Sequence, residues 1–179
     1  MIHQTFLNEN IPNSYFEIRG YEVLREHRSG KNGGGLLCYI KSSLSHEKLS
    51  GIDDQSFCES VIIVMTSQVS KLFLVSFIYR PPNSKYEWNE NFFRHVERCY
   101  GYCIDVIIVG DFNVNLLDIS VKQRWTLTVL DTVNLTQLIS TATKISMTSA
   151  KLIDHLYSSR PTKLKKNMEW VIAASVIII

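Results

Sequence analysis

Asp105 to Gly110 is a short, almost wholly apolar run, and it stops abruptly at Asp111-Phe112-Asn113-Val114-Asn115. A run this short and this apolar reads as a strand buried on both faces. Such a strand needs covering layers above and below, so the chain must build a layered domain around it. The polar residues that follow sit where α/β proteins place ligands, just beyond a strand end. Asp111 has the chemistry to bind a hard divalent cation or to polarise an attacking water. Asn113 lies two positions on. In an extended segment both side chains share one side. The alternative is an Asx-type turn, in which the two residues satisfy local backbone groups.

The rest of the chain supplies the layers. Strands are expected over 20–25, 36–40, 59–65 and 71–79, the last two as an antiparallel pair. Arg80-Pro81-Pro82-Asn83-Ser84 ends that pair, because prolines cannot continue a ladder. Asn89 to Cys103 places Phe92, Phe93, Val96 and Tyr100 on one helical face. A second helix is expected over 125–138 and a brief strand over 153–157. The order is several strands, helix, buried strand, helix, strand, which fits a layered α/β domain with a mixed or mainly antiparallel sheet.

Composition narrows the function classes. With 19 Lys and Arg against 17 Asp and Glu among 179 residues, the net charge is +2. That is too small to imply nucleic acid by itself, though a local basic patch can act inside a neutral total. The four cysteines, Cys38, Cys58, Cys99 and Cys103, lack zinc or redox spacing and read as buried free thiols. The N-terminus is too polar for a signal peptide, so the chain is not expected to be secreted. Trp170 to Ile179 is apolar except for Ser175 but too short to span a membrane, so no membrane partner is expected. The triple glycine at 33–35 runs into Leu36-Leu37 and is not a phosphate-binding loop of the Walker type.

Two further strand ends carry chemistry. Tyr79-Arg80 offers a hydroxyl and a guanidinium that would suit a phosphate, or a plain strand end with a solvent-facing arginine. Asp154-His155 is a polar pair inside an apolar strand, and alternation points the two side chains to opposite faces. One must meet a polar cleft or a partner, or the strand is an edge with Asp154 in solvent. Upstream, Thr143, Lys144, Thr148 and Ser149 form an ordinary surface loop or one that contacts a nucleic-acid backbone. Asp111, Asn113, Asp154, Tyr79 and His155 together suit metal-assisted phosphodiester hydrolysis, which needs oxygen ligands, an oriented water and phosphate donors.

Four segments carry a resemblance: GYEVLREHRSGKNGGGLLCYIKSSL (20–44), FIYRPPNS (77–84), IIVGDFNVNLL (107–117) and TATKISMTSAKLIDHLYSS (141–159). In this order and spacing they resemble the endonuclease/exonuclease/phosphatase superfamily, in the branch at the front of non-LTR (LINE-like) retrotransposon polyproteins. The resemblance is strongest over 20–159 of a single domain over 1–179. It implies a four-layered α/β sandwich around two mixed sheets, and Mg²⁺- (or Mn²⁺-) dependent nicking of DNA to prime reverse transcription. Asp111 would then orient water, Asn113 would contact the phosphate, and Tyr79 and Asp154 would complete the site. Arg80 and Lys144 would match basic positions near the DNA. The implied partners are a target DNA duplex and a reverse transcriptase domain, and the implied location is the nucleus.

The departures are specific. Gln4, in His3-Gln4-Thr5-Phe6-Leu7, stands where the family has its metal-binding glutamate, and an amide is a poor substitute for an anionic ligand. The family's first asparagine-bearing strand and its C-terminal Ser-Asp-His are absent. The expectation is therefore a copy incomplete at both ends, with weak or no activity. Two alternatives stand beside it: a non-catalytic remnant with residual nucleic-acid binding, and a hydrolase of small phosphate esters or phosphoinositides.

Overall fold

The structure, a computed structural model, describes residues 2–3, 11–26, 36–49, 59–66, 71–103 and 105–162. Gln4, the triple glycine and the apolar segment 170–179 lie outside the described residues. Eleven strands are described: β1 (Ile2–His3), β2 (Tyr21–Glu26), β3 (Leu36–Lys41), β4 (His46–Lys48), β5 (Glu59–Thr66), β6 (Lys71–Tyr79), β7 (Val106–Asp111), β8 (Thr136–Gln137), β9 (Lys144–Ile145), β10 (Ala150–Lys151) and β11 (Asp154–Ser158). Two α-helices accompany them, α1 (Tyr86–Tyr102) and α2 (Ile119–Trp125).

The strands form a six-stranded sheet in the order β4-β5-β6-β7-β11-β8, a three-stranded sheet β1-β3-β2, and a β9–β10 hairpin. β6 and β7 run parallel and α1 makes the crossover between them; every other pairing is antiparallel. This is a layered α/β sandwich with open edges, as the sequence implied; the six-stranded sheet is mixed, and the described pairings of the three-stranded sheet are antiparallel.

Alternation along the strands builds two cores. Ile62, Val64, Leu74, Ile78, Val106 and Ile108 face the helices and meet Phe92, Val96 and Cys99 of α1. The alternate residues, Val61, Ile63, Val75, Phe77 and Ile107, meet Leu36, Cys38 and Ile40 of the smaller sheet. Trp88, Phe92, His95, Val96 and Cys99 make the buried stripe of α1, spaced by three and four as a helix requires. Burial raises the Cys38 thiol to about 12, which leaves it protonated and inert.

The second helix differs from expectation. It starts at Ile119, where the Asp118 carboxylate accepts the N–H groups of Ser120 (2.9 Å) and Val121 (3.2 Å) as an N-cap. After Trp125 it widens into a π-type turn over Thr126–Leu130, closed by the Asp131 N–H on the Thr126 carbonyl. Asn134 then takes a left-handed φ of 51°, which ends helical continuation, and 136–137 is strand instead. The polar stretch 41–56 contains the short β4, and β11 is an interior strand between β7 and β8.

Gly110 explains itself in the fold. It pairs with Ile78 across the parallel β6–β7 ladder, and a Cβ there would lie 1.7 Å from the Ile78 carbonyl oxygen. Only glycine allows the two backbones to stay at ladder distance at this point.

Candidate active site

Three strands bring three of the expected residues into one row. Tyr79 closes β6, Asp111 closes β7 and Asp154 opens β11. Tyr79 is opposite Asp111, and Asp111 is opposite Asp154. All three share the face of Phe77, Val109 and Leu156, so the row lies at one end of the apolar interface between the sheets. Tyr79 and Asp111 are buried and Asp154 is partly exposed.

The Phe112 N–H bonds the Ile153 carbonyl at 2.9 Å, one step beyond the Asp111–Asp154 pair. The two aspartates are therefore a non-hydrogen-bonded antiparallel pair, the kind whose Cα atoms approach to about 4.5 Å. Like charges placed directly opposite cost stability unless a cation or donor is shared between them. The Asp154 N–H and the neighbouring Ile153 N–H both donate to Thr143 Oγ1, at 3.0 and 3.2 Å. Thr143 thus ties the base of the β9–β10 hairpin to the end of the row.

Asn113 makes the local turn. Its N–H donates to Asp111 Oδ1 at 2.9 Å, and its φ of 51° is the left-handed conformation that asparagine tolerates. Its Nδ2 donates to the Arg80 carbonyl at 2.8 Å. The Asx-type turn is therefore what the structure shows: residue 113 is not extended, its backbone N–H meets Asp111, and its side-chain amide is turned to the Arg80 carbonyl.

Arg80 is half-buried, unlike the solvent-facing alternative. Its guanidinium lies 5.2 Å from the Trp88 ring centroid and 5.7 Å from that of Trp125. It also donates to the Phe112 carbonyl (3.3 Å) and the Ser84 carbonyl (3.2 Å). Lys144 is exposed on the hairpin, as is Lys151.

The helix side of the same strand ends is aromatic and polar. Phe112 is fully buried and stacks on His155, with centroids 4.9 Å apart and planes 11° from parallel. Phe92, Trp125 and Tyr157 meet the Phe112 ring edge-on. His155 Nε2 approaches the Val114 carbonyl at 2.9 Å, Tyr157 Oη meets His155 Nδ1, and Trp125 Nε1 donates to Tyr157 Oη at 2.8 Å. Burial lowers the His155 imidazole to about 4, against the opposing pull of the Val114 carbonyl, so it is neutral at pH 7. Burial raises the Tyr157 phenol well above its ordinary range.

Asp154 and His155 do point to opposite faces, as alternation required, with His155 fully buried. Tyr157, Trp125 and Phe112 escaped the sequence reading as parts of the site's surroundings. The available signal was Phe112 itself, an aromatic flanked by Asp111 and Asn113 at a strand end and so turned to the opposite face.

The oxygen donors of Asp111 and Asp154 are of the type that Mg²⁺ takes, and Mg²⁺ commonly uses only one or two carboxylates beside water and phosphate. Among the described residues no group of three or more His, Cys, Asp or Glu could hold a metal ion. Gln4, the remaining candidate ligand, lies outside them.

No family model and no curated protein matches the chain. Solved structures do match. The endonuclease domain of TRAS1, a telomere-specific non-LTR retrotransposon, aligns with a TM-score of 0.59 and 13% identity, over 83% of this chain and 70% of that one. The 3′–5′ exonuclease NExo of Neisseria meningitidis aligns with a TM-score of 0.56 and 16% identity, over 88% and 74%. The human Nocturnin catalytic domain aligns with a TM-score of 0.53 and 12% identity, over 88% and 67%. At these identities the likeness is one of fold alone.

Proposed function

We propose that this chain is a metal-dependent phosphodiesterase of the DNA-nicking kind. The observation that carries the reading is the Tyr79–Asp111–Asp154 row, with its two directly opposed carboxylates at the end of a buried strand. Asp111 orients and activates the attacking water. Asn113 would offer the phosphate the second hydrogen of its Nδ2, the first being held by the Arg80 carbonyl, and Tyr79 lines the buried end of the row. Asp111 and Asp154 would hold Mg²⁺, which when bound would neutralise charge on the scissile phosphate. Lys144 and Lys151, exposed on the hairpin tied to Asp154, suit contact with the DNA backbone. A duplex DNA substrate, a reverse transcriptase domain as partner and a nuclear setting are part of this proposal and rest on the resemblance of the four sequence segments; the fold likeness to an endonuclease domain of a non-LTR retrotransposon is compatible with them.

The test is nicking of supercoiled plasmid with Mg²⁺ or Mn²⁺. The expected result is slow, metal-dependent nicking that Asp111→Ala lowers by about 10³-fold or more, as loss of a water-activating group does. A folded protein that does not nick at high concentration overturns it.

A second reading is favoured by Gln4, an amide where the resemblance puts a metal-binding glutamate: a non-catalytic relative that still binds DNA. It predicts binding that weakens linearly in log–log salt dependence, without turnover.

A further inference from the structure

We propose that His155, backed by Tyr157 and Trp125, is a positioning device that sets the path of the 112–117 loop and so the aim of Asp111 and Asn113. The aiming role rests on the site reading above; the holding of the loop does not.

Counting hydrogens fixes the direction of every bond. The Trp125 indole nitrogen is a donor only, so it donates to Tyr157 Oη. The Val114 and Leu152 carbonyls beside His155 Nε2 can only accept, so the one ring hydrogen of the neutral imidazole sits on Nε2, Nδ1 is bare, and the Tyr157 hydroxyl donates to it. The Nε2 hydrogen points at the Val114 carbonyl, 2.9 Å away, with the Leu152 carbonyl at 3.4 Å. The chain runs one way, from an indole in the helix layer to a loop carbonyl one residue past Asn113.

The same loop is gripped at neighbouring points. Arg80 donates to the Phe112 carbonyl, the Leu152 N–H donates to Asn115 Oδ1 at 3.0 Å, and the Leu116 N–H donates to the Leu152 carbonyl at 3.0 Å. His155 holds the middle of this span. It lies on the helix face of β11, whereas Asp154 lies on the other, so it acts on the site through the loop and touches no substrate. The π-type turn directly after Trp125 is an independent irregularity at the root of the chain.

Tyr157→Phe tests this, because it deletes only the bridging hydroxyl. Ser76→Ala is the control: it removes another buried hydroxyl–histidine bond of the helix layer, Ser76 Oγ to His95 Nε2 at 2.8 Å. Native-state hydrogen exchange is read at the Asn113 and Leu116 amides, beside nicking kinetics with Mg²⁺. Tyr157→Phe is expected to speed exchange at these two amides about tenfold relative to Ile62 and Ile63, as loss of one buried hydrogen bond does, and Ser76→Ala is not. In nicking, kcat is expected to fall about tenfold while KM stays within about threefold. Equal exchange in both variants overturns the proposal, as does a loosened loop with unchanged kcat. If the unmodified protein does not nick, the site reading fails, and the exchange comparison still decides whether the network holds the loop. Should Tyr157→Phe not fold, Trp125→Phe removes the far end of the chain instead and is expected to give the same selective exchange to a smaller degree.

Discussion

The two faces of the six-stranded sheet are built on different principles. Between the sheets the middle of the interface is apolar, with Val61, Ile63, Val75 and Phe77 against Leu36, Cys38 and Ile40. Its buried polar residues, Asp111 and Ser158, stand at the strand ends. On the helix face, polar groups sit inside the core: Ser76 with His95, and His155 with Tyr157 and Trp125. Apolar packing is non-directional and supplies most of the stability. Hydrogen bonds are directional, and buried networks specify one arrangement. The Tyr79–Asp111–Asp154 row stands on the apolar face, yet the loop beside it is hydrogen-bonded from the polar face.

The largest expected effect comes from the strand that both faces share. Gly110→Ala would place a Cβ 1.7 Å from the Ile78 carbonyl oxygen, so β6 and β7 must separate. Loss of the cooperative thermal transition and of the near-UV circular dichroism is expected. Gly101→Ala, in α1, meets nothing within 4 Å and should be neutral or stabilising by up to about 1 kcal/mol. A Gly110→Ala protein that melts like the original would mean that the parallel pairing does not pass through this register.

Next comes acid. Burial, reinforced by Arg98, lowers His95 to about 4, and burial lowers His155 to about 4. A histidine near 6.5 when unfolded and near 4 when folded binds fewer protons in the native state between those values. Stability from each is therefore whole above pH 6.5 and is lost as pH falls toward 4, by about 3 kcal/mol for such a shift. Urea titrations at pH 7 and pH 4.5 read this. His95→Gln should make the curve shallower, whereas Ile63→Ala, in the apolar interface, should lower it by about 2–5 kcal/mol at every pH. A parallel shift from both variants would erase the distinction between the faces.

What the sequence made legible follows the same division. The apolar strands β5, β6 and β7 announced themselves by composition, and register then had to align Tyr79, Asp111 and Asp154. The helix face was harder to read. Leu127, Leu130, Leu135 and Leu138 imitate a helical period through Asn134, where the backbone turns left-handed and the helix cannot continue. Trp125 and Tyr157 are 32 residues apart, and no local pattern couples an indole to a phenol at that separation. Arg80 gave no sign of lying between two tryptophans, because that contact depends on where α2 packs. Directional contacts between distant segments are a property of the assembled layers.

The smallest effect concerns how β11 is held at its open end. Thr143 Oγ1 receives the N–H groups of both Ile153 and Asp154, while the Thr143 N–H donates to the Lys151 carbonyl at 2.9 Å. One hydroxyl therefore joins the base of the β9–β10 hairpin to Asp154, the last residue of the row. Thr143→Val keeps the shape and removes the acceptor, leaving two N–H groups to find water. A loss of about 1 kcal/mol is expected, the size of a partly exposed hydrogen bond. Exchange at the Asp154 amide should quicken while the Asn113 amide, gripped from the helix face, keeps its rate. If both amides quicken together, the loop and the hairpin form one cooperative unit, and the row is held from a single side of the sheet after all.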